Sequence, residues 1–289
     1  MKELDPFGLR AFVFIWQVID IYVDYRYYMP EAADVTLIAS RQSVELFHLL
    51  FLNQLSRKLD QKCYALKGGA NMRFFFMSPR YSEDIDIDVQ AIRVDILRKR
   101  VNGILNSAPF NDILQTRGFR IERITEHKQT ETTQGWKMGL TGPRIQGILP
   151  TKIEFSRRGR AAIVFDFELV SAEITRFYDL PPILISHYSA ESAFQQKINA
   201  VLSRSETQAR DIFDLYILLT SRLEKIPAFQ SHGINHLKAK ENILSTTFAI
   251  FKSQVLSYLE PEVQRQYDSE DVWDSMRLKV VEALEKETP

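Results

Sequence analysis

The amino-acid sequence predicts an α+β protein in which a region of short strands lies between helices. Apolar residues recur at helical spacing over residues 5–28 and 40–59. Over residues 117–170 the pattern changes to short segments separated by glycine-containing turns, which is typical of strands. After Pro182 the helical spacing returns. We therefore expect three parts, namely N-terminal helices (residues 1–60), a sheet domain (61–182) and a helical C-terminal domain (183–289).

Composition narrows the class of protein. The 289 residues include 37 Lys and Arg and 37 Asp and Glu, so the formal net charge is zero. This balance argues against a general nucleic-acid coat or a membrane-surface protein. The apolar segment 12–23 is too short and too polar to span a bilayer. Cys63 is the single cysteine, which excludes an internal disulfide and fits a reducing cytoplasm. We expect a cytoplasmic protein with no membrane segment.

The individual elements follow from spacing and breaking residues. Asp5 and Pro6 mark the start of an aromatic-rich first helix, which packs in the core or faces a partner. A second helix is expected from Ser40 to about Leu59. The same criteria predict a strand at 63–66, helices at 71–77 and 94–105, and strands at 119–124, 135–140, 145–149, 152–155 and 162–170.

The segment at residues 66–89 carries the most informative pattern. Within it Asp84, Asp86 and Asp88 alternate with isoleucines. A strand directs successive side chains to opposite faces, so the three aspartates share one face with Ser82 and the isoleucines share the other. Because neighbouring carboxylates repel and raise one another's pKa, this row is expected to hold a cation.

Three interpretations of the aspartate row are compared. An EF-hand loop is excluded, because its sixth position requires glycine and Val89 stands there. A solvated face of an edge strand stays open. The third interpretation is a site for divalent metal, since paired ions stabilise the attacking and leaving oxygens of a phosphoryl displacement. Mg²⁺ prefers a few carboxylates together with substrate phosphates.

Two glycines upstream favour the metal site. Gly68 and Gly69 are predicted to lie between a strand and a helix. Glycine there lets the backbone approach a phosphate, and the N-terminus of a helix favours negative charge. A segment suited to phosphate, at Gly68 and Gly69, is thus followed along the chain by a segment suited to metal, at the aspartate row.

A third carboxylate is expected from a neighbouring strand. Glu154 alternates with apolar residues in the segment 152–155 and is the first candidate. Asp166 and Glu168 alternate in the same manner and are the second candidates. The alternative for Glu154 is an ordinary exposed residue of a strand.

A lysine and an aspartate lie on apolar faces of the predicted C-terminal helices. Lys197 falls within the apolar stripe of a helix at about residues 191–203, and Asp211 lies at the edge of the next stripe. Buried charges of this kind are paired or serve a ligand. A salt bridge between the helices stays open beside a second interpretation. In that one Lys197 contacts a triphosphate and Asp211 holds or deprotonates a reacting group.

These motifs together resemble the AbiEii/AbiGii toxin family of nucleotidyltransferases, within the DNA polymerase β-like superfamily. The resemblance covers roughly residues 47–219. It is carried by Leu66-Lys67-Gly68-Gly69, Pro79-Arg80-Tyr81-Ser82-Glu83-Asp84-Ile85-Asp86, Lys152-Ile153-Glu154, Lys197, Arg204 and Arg210-Asp211-Ile212-Phe213-Asp214.

The resemblance implies a mixed sheet with flanking helices and a helical C-terminal domain that closes over a nucleotide. It also implies a divalent metal (Mg²⁺ or Mn²⁺), a nucleoside triphosphate substrate, an antitoxin encoded nearby and, for some members, a tRNA acceptor. The implied catalytic residues are Asp84, Asp86, Glu154, Lys197 and Asp211, of which Asp84 and Asp86 hold metal. The implied nucleotide-binding residues are Lys67, Gly68, Gly69, Ser82 and Lys197. Ala70 departs from the threonine or serine of relatives, and Asn71 is the candidate substitute.

Three functions are compatible with these residues. The first is metal-dependent transfer of a nucleotide to an acceptor, RNA and in particular tRNA, by the toxin of a toxin–antitoxin system. The second is a non-catalytic nucleotide-binding module, and the third is nucleotidylation of a small molecule such as an antibiotic. An RNA acceptor requires a local basic surface, for which Arg157, Arg158 and Arg160 are the candidates.

Overall fold

The computed structural model describes residues 32–143, 145, 147–157, 165–221 and 235–285. The chain divides into the compact units Met1–Val35 and Thr36–Pro289, and every contact given below lies within the second. The predicted first helix at residues 5–28 lies outside the described residues. Within the described part, no helix is long and apolar enough to cross a membrane.

Seven strands in the described residues form one mixed sheet. They are β1 (Tyr64–Lys67), β2 (Asp84–Val89), β3 (Arg120–His127), β4 (Thr133–Thr141), β5 (Leu149–Ser156), β6 (Phe165–Leu169) and β7 (Leu184–Tyr188). Their order across the sheet is β3-β4-β5-β2-β1-β7-β6. Strand β2 is parallel to β5 and antiparallel to β1. The predicted α+β class with a mixed sheet is therefore confirmed.

Helices precede, interrupt and follow the strands. In the first part of the chain these are α1 (Ala32–Lys58), α2 (Gly68–Phe75), α3 (Val94–Leu105), α4 (Ala108–Thr116) and α5 (Ala172–Phe177). After the last strand follow α6 (Ala190–Ser203), α7 (Ala209–Ser221), α8 (His236–Ser245), α9 (Phe248–Gln254), α10 (Pro261–Tyr267) and α11 (Glu270–Glu285). Helix α4, capped by the Ser107 side chain, was not expected from the sequence.

The alternation in β2 separates the two faces of the sheet as predicted. Ile85 and Ile87 are fully buried, while Asp84 and Asp86 are partly exposed on the other side. The interpretation of β2 as a solvated edge strand is wrong, because β1 and β5 flank it on both sides. An interior strand has both edges paired, so its register is fixed along its whole length.

Helices α1 and α3 cover the face on which the isoleucines lie. Nε2 of His48 in α1 lies 2.7 Å from Oγ1 of Thr151 in β5. The indole nitrogen of Trp136 in β4 donates to Oδ1 of Asn102 in α3 at 2.8 Å. Both contacts join a helix to the isoleucine face of the sheet, and the aspartate face lies on the other side.

The segment after Pro182 corrects a prediction. The sequence pattern indicated helices only, but Leu184–Tyr188 is strand β7, parallel to β1 and antiparallel to β6. Five residues are too few for a distinct period, which is why the pattern failed here. The helical part begins instead at Ala190, where the Ser189 side chain caps α6. The three-part division of the chain stays a prediction.

The strand predicted at residues 145–149 is also wrong in part. Among its described residues, 145, 147 and 148 are in no strand, and β5 begins at Leu149. The strands predicted at 135–140 and 152–155 correspond to β4 and β5 with extended ends. Gly147 has a φ of +76°, a backbone conformation that favours glycine and does not occur in a regular strand.

Candidate active site

A cleft of about 470 Å³ lies on the aspartate side of the sheet. This volume is in the usual range of small-molecule sites. The nine residues expected from the sequence to form the site all line the cleft, and they are Lys67, Gly68, Gly69, Ser82, Asp84, Asp86, Glu154, Lys197 and Asp211. The fold thus brings together positions that are up to 144 residues apart, from Lys67 to Asp211.

Three carboxylates of the cleft, those of Asp84, Asp86 and Glu154, come from two neighbouring strands. In the parallel pair of β2 and β5, Asp86 lies opposite Glu154 and Asp84 lies opposite Lys152. Nζ of Lys152 is 3.4 Å from Oδ2 of Asp84 and 3.6 Å from Oε2 of Glu154. The ammonium group therefore stands as a cation between carboxylates of both strands.

Burial makes these carboxylates costly to ionise. It raises the pKa of Asp84 and Asp86, and the positive charge of Lys152 only partly opposes the shift. Burial alone would lower the pKa of Lys152, but Asp84, Glu154 and Asp86 outweigh it and raise that pKa. A group of oxygen donors that already attracts one cation fits Mg²⁺ or Mn²⁺, which prefer carboxylate oxygens.

The glycine pair forms the wall beside these carboxylates. Gly68 has a φ of +71° and begins α2, and a Cβ on it would lie 3.0 Å from Oδ2 of Asp86. A Cβ on Gly69 would lie 2.9 Å from Oγ of Ser82 and 3.0 Å from Nη2 of Arg80. Both positions need glycine because a side chain would intrude between the helix N-terminus and the polar groups facing it.

A cluster of charged side chains, centred on Lys197 of α6 and the two aspartates of α7, lies beside the cleft. Nζ of Lys197 is 3.1 Å from Oδ1 of Asp211 and 2.5 Å from Oδ2 of Asp214. Nη2 of Arg80 is 3.5 Å from Oδ2 of Asp214, and Nε of Arg204 is 3.2 Å from Oδ2 of Asp211. Three cations and two carboxylates leave one net positive charge, which favours an anion in the cleft.

Charge balance keeps the lysine of this cluster protonated. Burial alone would lower the pKa of Lys197, but the carboxylates of Asp214 and Asp211 outweigh it and raise the pKa. The salt bridge expected as the structural alternative is therefore present, and the same residues line the cleft. The two interpretations do not exclude each other.

The family model of the nucleotidyl transferase AbiEii toxins of type IV toxin–antitoxin systems matches residues 50–286 of this chain. The chain belongs to this family. The resemblance drawn from the motifs is confirmed, and the protein is a nucleotidyltransferase. Membership in a toxin–antitoxin family implies an antitoxin partner.

Solved structures with this fold include nucleotidyltransferases from two bacteria. JHP933 from Helicobacter pylori has a TM-score of 0.53 at 17% identity, over 85% of this chain and 94% of its own. A nucleotidyltransferase described as putative, also from H. pylori, has a TM-score of 0.53 at 18% identity, over 84% of this chain and 95% of its own. MenT4, a nucleotidyltransferase toxin from Mycobacterium tuberculosis H37Rv, has a TM-score of 0.53 at 16% identity, over 86% of this chain and 84% of its own. Identities this low show a shared fold. A comparison with curated protein sequences gave no match.

Three charged residues in or beside the AbiEii cleft, Lys152, Asp214 and Arg80, were given no role from the sequence. Lys152 lies two positions before Glu154 on the same face of β5, and Asp214 lies one helical turn after Asp211. Arg80 was part of the quoted motif but had no role. Two of them could have been found from spacing. The period of a strand places Lys152 on the same face as Glu154, and the period of a helix places Asp214 beside Asp211.

His127 was also missed, because no sequence motif surrounds it. Its Nε2 lies 3.9 Å from Oε2 of Glu154, and its ring lies over Gly135, where a Cβ would overlap it. Burial lowers the pKa of His127, and the nearby Lys137 lowers it further. A neutral imidazole therefore extends the row formed by Asp86 and Glu154 across the sheet.

Asp88 shares the aspartate face of β2 but does not line the cleft. Lys67 and the hydroxyl of Tyr188 both donate to its carboxylate, and all three groups are buried. Lys67 reaches the cleft from β1 while its ammonium is bound to Asp88. Asp88 is therefore paired within the protein, away from the cleft that Asp84 and Asp86 line.

Other residues considered at the sequence level lie away from the AbiEii cleft. Asp166 and Glu168 are on β6, separated from β2 by β7 and β1. Asn71 cannot replace a hydroxyl at position 70, because its amide donates to the carbonyl of Tyr188 behind the sheet. Arg157 donates to Gln134 Oε1 at 2.5 Å, and Arg158 and Arg160 lie outside the described residues.

Proposed function

We propose that this AbiEii protein transfers a nucleotide from a nucleoside triphosphate to an RNA acceptor, specifically tRNA, in the presence of Mg²⁺ or Mn²⁺. It acts in the cytoplasm as a toxin that an antitoxin encoded nearby neutralises. The observation that carries the proposal is the single cleft, in which strand carboxylates, a helix N-terminus and a cationic cluster face one another.

The carboxylates are assigned to the metal side of the reaction. Asp84 and Asp86 would hold the metal, and Glu154 would be the third acidic residue because it lies opposite Asp86. A bound divalent ion neutralises phosphate charge and lowers the pKa of an attacking hydroxyl. Lys152, which stands between these carboxylates, would move toward the phosphates as the carboxylates take up another cation.

The glycine wall and the cationic cluster are assigned to the phosphates. Helix α2 begins at Gly68, which lines the cleft, and the Ser82 hydroxyl lies beside Gly69, so the positive end of this helix is available to an anion. The net positive charge around Lys197 faces the same space. Asp211 would fix the Lys197 ammonium, so that the lysine stays charged and oriented when the nucleotide binds.

Incubation of the protein with each α-labelled nucleoside triphosphate, Mg²⁺ and total tRNA tests the proposal. We expect label to enter RNA with one or more of the triphosphates. The variant Asp84→Asn with Asp86→Asn should lose this transfer, because the amides keep the shape of the carboxylates but not their charge. Asp95→Asn, on the exposed surface of α3, is the matched control.

The control and the acceptor decide the outcome. Equal transfer by the Asp84/Asp86 variant and the wild type would refute the metal assignment. Label that appears on a small-molecule acceptor, with no incorporation into RNA, would refute the RNA acceptor while leaving the nucleotidyltransferase activity in place. Growth arrest on expression, relieved by the neighbouring gene product, tests the toxin role separately.

A further inference from the structure

A second group of metal-ligand side chains lies on the opposite face of the sheet from the cleft. Asp166 and Glu168 share one face of β6, and Asp166 is paired with His187 of β7. One ligand atom from each of these three lies within 4.8 Å of the others. His187 lies opposite Leu66, and Leu66 lies opposite Ile87. The group therefore shares the isoleucine face and is separate from the catalytic carboxylates.

The imidazole ring of His187 is held in one orientation by residues outside this group. The ring is buried and stacks on Phe75, with centroids 3.6 Å apart and planes 5° from parallel. Its Nδ1 lies 2.9 Å from Oδ1 of Asn71, whose Nδ2 donates to the carbonyl of Tyr188 at 3.1 Å. An amide oxygen only accepts, so Nδ1 carries the proton and Nε2 is directed at Oε2 of Glu168, 3.9 Å away.

A hydrogen bond from the second ring nitrogen to a protein oxygen is typical of a histidine that binds metal. Metal-ligating imidazoles donate through the second nitrogen to a protein oxygen, which fixes the tautomer and aims the lone pair of the first. Asn71 performs that role for His187, and the amide is itself fixed by its bond to the backbone of β7. The orientation of the ring is thus set independently of the two carboxylates.

The charges of the three side chains favour a cation between them. A proton on Nε2 of His187 leaves one negative charge among the three groups, whereas a dication balances both carboxylates beside a neutral ring. Tetrahedral zinc, with bonds of about 2.0–2.2 Å, keeps its ligand atoms about 3.4 Å apart. The 3.9 Å between His187 and Glu168 would close by about half an ångström, within reach of the partly exposed Glu168 side chain.

We propose that Asp166, Glu168 and His187 form a binding site for a transition-metal dication, with Zn²⁺ as the representative ion, which joins the edge strand β6 to β7. The imidazole donor favours zinc and its neighbours over Mg²⁺ and Ca²⁺, which prefer oxygen ligands alone. Three protein ligands leave a further coordination position for water. The site stabilises the sheet edge and takes no part in the nucleotide chemistry of the other face.

Equilibrium dialysis of the whole protein against Zn²⁺, followed by metal analysis, tests this site. The variant Asp166→Asn with Glu168→Gln removes two charged ligands with isosteric amides. The matched control is Asp84→Asn with Asp86→Asn, which alters only the cleft. The cleft carboxylates can also take up a dication, so the Asp166/Glu168 change is made in the background of the control. We expect the control to bind about one zinc ion per chain, and the combined variant to bind zinc at least about tenfold more weakly.

Thermal unfolding gives a second readout. Zn²⁺ should raise the Tm of the cleft control, and this increase should disappear when Asp166→Asn and Glu168→Gln are added to the control. If that combined variant does not fold, Glu168→Gln alone in the same background serves, because the Glu168 side chain is 41% exposed.

Three results would overturn the proposal. The first is a wild type that retains no zinc. This result is expected if His187 is protonated and pairs directly with the two carboxylates. The second is undiminished zinc binding by the combined variant. The third is loss of zinc from the cleft control, which would assign the ion to Asp84 and Asp86.

Discussion

Replacing Gly68 by alanine tests the geometry of the glycine wall directly. The φ of +71° at this position is left-handed, and an L-residue there costs about 1–2 kcal/mol. Alanine also reduces the conformational entropy of the unfolded chain, which offsets about 0.4–1 kcal/mol of this cost. We therefore expect Gly68→Ala to lower the free energy of unfolding by about 1 kcal/mol.

Gly103 provides the matched control within the same protein. It lies inside α3, and a Cβ added there meets nothing within 4 Å. Gly103→Ala should raise the free energy of unfolding by about 1 kcal/mol, because alanine is the better helix former. The two variants should thus differ by about 2 kcal/mol in urea denaturation followed by tryptophan fluorescence.

Activity separates a local effect at the cleft from a general loss of stability. The new Cβ at position 68 would lie 3.0 Å from Oδ2 of Asp86, so this carboxylate has to shift by a few tenths of an ångström. Nucleotide transfer by Gly68→Ala should fall by about 10- to 100-fold under conditions where the variant is folded. Full transfer by this variant, or a stability equal to that of Gly103→Ala, would refute the reasoning.

Three further changes probe the buried polar groups. Lys197→Met leaves two buried carboxylates without their lysine and should cost about 3–5 kcal/mol of unfolding free energy. The exposed Lys240→Met should cost less than about 1 kcal/mol, and equal losses in urea denaturation would contradict the assignment. Burial lowers the pKa of His48 to about 3, so between this value and about 6.5 the unfolded chain binds the extra proton and stability falls as pH decreases. At about pH 5 this loss is about 2 kcal/mol relative to neutral pH, and denaturation of His48→Gln at both pH values should not show it. Gly135→Ala should cost about 1–3 kcal/mol because its Cβ overlaps the ring of His127. In the His127→Ala background the cost should largely disappear, and an unchanged cost would exclude this contact as its cause.

The choice of the third carboxylate shows what the sequence can and cannot establish. Glu154, Asp166 and Glu168 all alternate with apolar residues, so the period of two assigns each to one face of a strand. The period contains no information on which strands are neighbours. Strand order decides, because β5 adjoins β2 whereas β6 lies three positions away across β1 and β7. Glu154 therefore lies opposite Asp86, and its role as the third carboxylate stays a prediction.

The helical side of the site was predictable for a different reason. A lysine within an apolar stripe is costly to bury alone, so the position of Lys197 in its stripe is enough to indicate a charged partner. The partner's identity depends on how α6 and α7 pack, which local spacing does not determine. Asp211 was found because it lies at the edge of a stripe, whereas Asp214, fully buried inside the same helix, was assigned no role at the sequence level.

The row of three aspartates is tolerated because its members have different partners. Asp88 receives hydrogen bonds from Lys67 and Tyr188 and is neutralised within the protein. Asp84 and Asp86 have Lys152 beside them, and burial still raises the pKa of both. The carboxylates that are only partly neutralised therefore lie at the cleft end of β2. The fully buried Ile85 and Ile87 fix the strand, so a register slip that relieved the repulsion would expose the core. The core thus holds the two carboxylates in a position that an added cation stabilises.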